Sequence, residues 1–116
     1  MFKISHVREL PSITGVPAEV VKVVEGVVSI LDRVYGPERD PLEDDGGYVV
    51  VLHGKDDISV LADLGLEVGE LCPEYTDIIK TSIGVEYIHA VILCNNEFSL
   101  HILMPKEKAP VNLLDC

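Results

Sequence analysis

The chain contains no tryptophan, and aromatic residues make up only 5% of its 116 positions. A hydrophobic core must therefore be built mainly from aliphatic side chains. Hydrophobic residues account for 47% of the sequence, and the mean hydropathy is +0.28. This surplus predicts either a sheet covered on both faces or an exposed apolar patch that meets a partner. A second copy of the chain would serve as such a partner.

Basic residues are also few, nine against twenty acidic ones, which gives a net charge of −11. This balance argues against direct binding to nucleic acid or to an anionic membrane. Solubility is one explanation for the acidity. The alternative is a surface that competes for a basic groove. The sequence also lacks a run of 18 apolar residues, so we expect no membrane-spanning helix.

Cysteine is present three times, at Cys72, Cys94 and Cys116. An odd number with long, uneven spacing fits neither a disulfide framework nor the close pairs of a zinc site. We therefore expect free thiols in a reducing, cytoplasmic compartment. The first residues lack the apolar stretch of a signal peptide, in agreement with that expectation.

The length predicts a single α+β domain over residues 1–116. Its strongest element is a helix over 17–35, where polar residues recur every three or four positions and valines fill the opposite face. We predict a mainly antiparallel sheet of three to four strands, with this helix on one face and two short helices beside it. The predicted strands are 2–10, 48–52, 85–94 and 97–104, and the short helices are 56–64 and 73–80. An acidic loop (37–47) and a tail (106–116), either mobile or docked on the body, complete the chain.

The two strands after residue 84 read as a hairpin around Asn95 and Asn96. A two-residue loop would pair Ala90 with His101, so that His89 and His101 point to opposite faces of the sheet. Only a bulge would bring these histidines together. We therefore predict no metal site and no cofactor, and we interpret His89 as a hydrogen-bonded core residue.

Two groups of residues remain as candidates for a binding site. His53 ends a strand, and Asp56 and Asp57 follow at the start of a helix, a position where α/β proteins often place ligand-binding groups. Glu43, Asp44 and Asp45 lie in the acidic loop and could contact a basic partner. Helix capping by Asp56 or Asp57, and a solvated loop at 43–45, are the purely structural explanations.

No sequence motif indicates catalysis. The chain lacks a Walker loop, G-x-G-x-x-G, G-x-S-x-G, H-E-x-x-H and C-x-x-C. The leading hypothesis is therefore a small acidic, non-catalytic protein-interaction or regulatory module, such as an inhibitor or immunity-type protein. A small enzyme or small-molecule binder using His53, Asp56 or Asp57 is the second hypothesis. The third is a homo-oligomeric structural subunit, so the expected partner is another protein or a second copy.

Overall fold

A computed structural model describes residues 1–36, 38, 46–54, 56, 59, 61–62, 73–95 and 98–109, without the side chains of 93–95 and 98. Within these residues the fold is α+β, with one long helix and a five-stranded mixed sheet. The elements, in chain order, are β1 (Phe2–Ile4), a 3-10 helix (Val7–Ser12), α1 (Ala18–Tyr35), β2 (Gly46–Val51), β3 (Tyr75–Lys80), β4 (Glu86–Asn95), β5 (Phe98–Pro105) and a 3-10 helix (Lys106–Lys108).

The strands lie side by side in the order β1-β2-β5-β4-β3. Neighbouring strands run antiparallel except β2 and β5, which are parallel. The prediction of a mainly antiparallel sheet is therefore roughly right, although the sheet has more strands than expected. The long helix is confirmed almost residue for residue, with Pro17 as its N-cap and Gly36 as its C-cap.

The first predicted strand is too long. β1 ends at Ile4, and the following residues form a 3-10 helix that contains Pro11. Side-chain carboxylates accept hydrogen bonds from the backbone N–H groups after Ile4, so these groups need no partner strand. The Glu9 carboxylate accepts the N–H groups of Ser5 and His6, and Asp32 accepts that of Val7.

The short helix predicted at 73–80 is wrong, because this segment contains strand β3. Its β-branched residues Thr76, Ile78 and Ile79 favour an extended backbone, and β4 supplies the antiparallel partner. The helix predicted at 56–64 lies largely outside the described residues. In the tail, Ala109 packs against the core, and residues 110–116 are outside the described part.

The hairpin is confirmed, but its register is shifted by one residue. A bulge between Leu93 and Asn95 pairs Val91 with His101 and His89 with Leu103. Directly paired residues share a face of the sheet. His89 and His101 therefore lie on the same face, and the prediction of opposite faces is wrong.

The two faces of the sheet are covered differently. Helix α1 packs on one face, where its inward valines meet Ile4, Val49, Val51 and Leu103. We call this the helix side. The opposite face carries a second aliphatic cluster of residues from β2, β4 and β5 together with Leu61. The buried aliphatic residues of the described chain thus form two clusters, one on each face of the sheet.

Candidate functional site

Helix α1 crosses the helix side diagonally. Near its first turn, the Glu19 carboxylate accepts the Ser82 backbone N–H at 2.7 Å, beside the turn between β3 and β4. Near its last turn, Asp32 bonds to His6 close to β1, and the Tyr35 ring packs against Gly46 at the start of β2. A diagonal helix leaves one corner of the sheet less covered.

That corner lies where β3, β4 and β5 carry side chains beyond the reach of the helix. We call it the open corner and define it by residues that the strand registers place on the helix side: Tyr75, Asp77, His89, Val91, Ser99 and His101. All of them are partly or fully exposed, whereas Val49, Val51 and Leu103 on the same side are fully buried.

The helix presents an apolar flank, consisting of Val27, Ile30 and Val34, toward this corner. Ile30 and Val34 lie about 160° around the helix axis from Asp32, given 3.6 residues per turn. Asp32 faces the β1 side through its bond to His6, so the apolar flank faces β3 and β4. The side chains of Ile30 and Val34 are exposed, at 51% and 64%.

Three polar side chains, those of His89, His101 and Ser99, form a hydrogen-bond network across the open corner. His89 Nε2 lies 2.9 Å from His101 Nδ1, and the two rings are stacked with centroids 5.1 Å apart. His101 Nε2 lies 3.0 Å from Ser99 Oγ, which in turn donates to the Gly46 carbonyl oxygen at 3.3 Å.

These contacts assign the positions of the protons. A carbonyl oxygen only accepts, so the Ser99 hydroxyl uses its proton on Gly46 and accepts the Nε2–H of His101. His101 Nδ1 then carries a lone pair, which accepts the Nε2–H of His89. Both imidazoles are neutral in this arrangement.

Burial favours the same neutral state. Burial, with a smaller contribution from the charge of neighbouring His89, lowers the pKa of His101 to about 4. Burial also lowers the pKa of His89, although the negative charge of Asp77 opposes this shift. Both rings therefore offer neutral nitrogen atoms near pH 7.

Strand β3 forms the outer edge of the open corner and of the described sheet. Tyr75 and Ile78 are 57% and 39% exposed, on opposite faces of the strand. The Asp77 carboxylate accepts the backbone N–H of Ile78 at 2.9 Å, which places this N–H on the side away from β4. Asp77 thus covers one donor of an edge to which another strand could be added.

His53 and Asp56 of the predicted ligand site contact the first residues of the chain. Asp56 pairs with the N-terminal ammonium of Met1 at 2.6 Å, and this bond lowers the pKa of Asp56. The His53 ring stacks on Phe2, and its Nδ1 lies 3.6 Å from Asp56. His53 and Asp56 are thus brought together, and they anchor the beginning of the chain. Asp57 lies outside the described residues.

The other predicted residues are not described. The described part of the chain does not include Glu43, Asp44, Asp45, Cys72 or Cys116, nor the side chain of Cys94. The sequence pattern does not reveal the open corner, for two reasons. It predicts a helix where the outer strand β3 lies, and a two-residue hairpin loop places the two histidines on opposite faces. The asparagine pair was the available signal for an irregular turn.

The described residues contain no group of three or more His, Cys, Asp or Glu side chains arranged to hold a metal ion. A shallow depression bordered by Gly84, Glu86 and Lys106 lies at the opposite end of β4 from the bulge. Within the described part of the chain, no helix is long and apolar enough to cross a membrane.

Comparisons with protein-family models, with curated proteins and with solved structures found no match to this chain.

Proposed function

We propose that the chain is a non-catalytic protein-interaction module that binds one protein partner at the open corner. The observation that carries this proposal is that apolar side chains are exposed both on the edge strand and on the helix, on the same side of the sheet. Tyr75 lies on β3, and Ile30 and Val34 lie on α1, which packs on the face that Tyr75 shares. Exposed apolar side chains grouped on one side of a small protein mark interaction surfaces.

The binding mode that suits this surface is strand addition. A partner segment in extended conformation pairs with the outer side of β3, where backbone hydrogen bonds supply part of the affinity. The Asp77 carboxylate must release the Ile78 N–H for this pairing. Apolar side chains of the partner then contact Tyr75 and the apolar flank.

The charge of the chain favours a basic partner. The net charge is −11, and Glu74 and Asp77 are exposed at the β3 edge. Opposite charges on the partner accelerate association, and this effect weakens as salt screens it. An acidic inhibitor or immunity-type protein is one concrete form of such a module.

A homo-oligomeric subunit is the second candidate, because a second copy could cover the same apolar side chains. The acidity of both copies opposes this association, so we expect it to strengthen with salt. The ligand site at His53 receives less support, since the N-terminal ammonium already occupies Asp56.

The first measurement is the molar mass in solution by light scattering at low and high salt, followed by affinity capture from a native lysate. The bait is the wild-type chain, the double variant Ile30→Asp/Val34→Asp, or Ile83→Asp as a matched control. Ile83 is 67% exposed and lies in the β3–β4 turn, outside the open corner.

We expect one saturable protein partner that is lost with the double variant and retained by Ile83→Asp. A salt-stable dimer that the double variant dissociates would instead support the homo-oligomer. A monomer that captures nothing, or a partner that both variants retain, would overturn the proposed surface.

A further inference from the structure

We propose that His89 and His101 form a binding site for a divalent transition-metal ion, of the class that imidazole ligands prefer, such as Zn²⁺ or Ni²⁺. The site lies in the open corner but does not depend on the proposed protein partner. It combines two imidazoles on neighbouring strands, a polar support behind one of them and a carboxylate beside the other.

The spacing of the two nitrogen atoms already suits a shared metal ion. His89 Nε2 and His101 Nδ1 are 2.9 Å apart. Two nitrogen ligands about 2.1 Å from one metal ion are separated by roughly 2.9–3.4 Å when the angle between them is about 90–110°. A small rotation of both rings would direct the two lone pairs to one point.

The hydrogen bonds behind His101 resemble the support of a metal ligand. Ligating histidines usually donate their second ring N–H to a neighbouring acceptor, which fixes the tautomer. His101 donates Nε2–H to Ser99 Oγ, and Ser99 donates to Gly46. The Nδ1 lone pair of His101 is therefore available on the side of His89.

His89 becomes a ligand by a change of tautomer. Its proton leaves Nε2 and binds Nδ1, so that the Nε2 lone pair is free for the metal ion and no proton is lost. Asp77 is the direct cross-strand neighbour of His89 on β3. Its negative charge stabilises the resulting Nδ1–H and attracts a cation to the open corner.

The hydrogen bonds already hold both imidazoles in the neutral form that metal ions bind. Both side chains retain some exposure, which leaves a path from solvent. The described residues add no third ligand, so water completes the coordination and we expect moderate affinity.

The test is isothermal titration of the wild-type chain with ZnCl₂ and with NiCl₂ near pH 7. We expect one ion per chain, with a Kd on the order of 10 μM, equivalent to roughly −7 kcal/mol. His89→Gln and His101→Gln should each weaken binding by at least about tenfold, because each removes one of the two protein ligands. His53→Gln is the matched control and should bind like the wild type.

Ring NMR spectra of the wild-type histidines give a readout that does not depend on folded variants. The proposal requires zinc to shift the resonances of His89 and His101 and to leave those of His6 unchanged. Unsaturable binding, unchanged affinity in both Gln variants, or shifts confined to other histidines would overturn it. Titration with Co²⁺ identifies a cysteine site by its thiolate charge-transfer band, which would likewise overturn it.

The metal proposal can fail independently of the proposed function. Ile30→Asp/Val34→Asp leaves both imidazoles in place, so this variant should lose the protein partner and still bind zinc. Loss of zinc binding from this double variant, in a chain with unchanged circular dichroism, would contradict a site confined to the two histidines.

Discussion

The two halves of the helix side have similar backbones but different surroundings. In the covered half, Val49, Val51 and Leu103 are fully buried beneath α1. In the open corner, the same strand β5 carries Ser99 and His101, which are partly exposed. On the helix side of β5, the residues therefore change from polar (Ser99, His101) to aliphatic (Leu103) where the strand runs beneath α1.

We propose that this difference separates the residues that stabilise the fold from those that bind a partner. The covered half gains stability from aliphatic burial, at about 25 cal/mol per Å². The open corner contributes less burial and holds polar groups that tertiary packing does not require. Substitutions in the two halves should therefore differ in kind, with stability affected in one and recognition in the other.

The largest expected effect on stability comes from Gly47→Ala. Gly47 lies where β2 approaches Ser99, a member of the hydrogen-bond network of the open corner. Gly47 has φ +111°, and an added Cβ would lie 1.8 Å from the Ser99 carbonyl oxygen. Backbone strain and steric overlap add, so we expect a loss of more than about 3 kcal/mol in the free energy of unfolding. Urea denaturation measures this loss.

Gly54→Ala is the control for Gly47→Ala. Gly54 also has a positive φ, +61°, but in the described part of the chain no atom beyond its sequence neighbours lies within 4 Å of its added Cβ. We expect only the cost of the left-handed backbone, about 1–2 kcal/mol. Equal effects of the two substitutions would show that the close approach of β2 and β5 at Ser99 contributes nothing.

The second prediction compares the two halves directly. Leu103→Ala creates a cavity in the covered half and should lower the free energy of unfolding by about 2–5 kcal/mol. Ile30→Ala removes a half-exposed side chain of the apolar flank and should change it by less than about 0.5 kcal/mol. Denaturant midpoints measure both. A large loss from Ile30→Ala would indicate that the flank belongs to the core.

The third prediction is the pH dependence that comes from the open corner. The pKa of His101 is lowered from 6.5 to about 4 in the folded chain. Between these values the unfolded chain binds more protons, so stability is greatest above pH 6.5 and falls as the pH falls toward 4. Urea midpoints at several pH values in this window measure the slope.

His101→Asn removes that titration and should flatten the slope, because the folded and unfolded states then bind similar numbers of protons at this position. Part of the dependence of stability on pH should remain in this variant, because the pKa of His89 is also lowered. The same slope in wild type and His101→Asn would contradict a neutral, half-buried imidazole at position 101.

The local sequence pattern is sufficient to predict some secondary-structure elements and insufficient for others. The helical repeat over 17–35 is long, and α1 begins and ends within one residue of the prediction. The segment 73–80 is short, and its opening Pro73, followed by acidic residues, suggested a helix. Pairing with β4 stabilises it as a strand instead, and that partner is distant in sequence.

The candidate site was less predictable than the fold. Proximity in sequence suggested His53 with Asp56, and these residues do meet, but the N-terminus that joins them is far away in the chain. His89 and His101 were each recognised in the hairpin. Their meeting depended on one bulged residue, and a shift of one residue moves every side chain to the other face.

The sequence by itself determined the acidic charge, the aliphatic core, the long helix and the β4–β5 hairpin, because these depend on composition and on contacts between near neighbours. Only the tertiary structure decided the parallel pairing of β2 with β5, the identity of β3 as an edge strand and the common face of the two histidines. Each of these depends on which distant segment covers or pairs with another, and short-range periodicity carries no information about that choice.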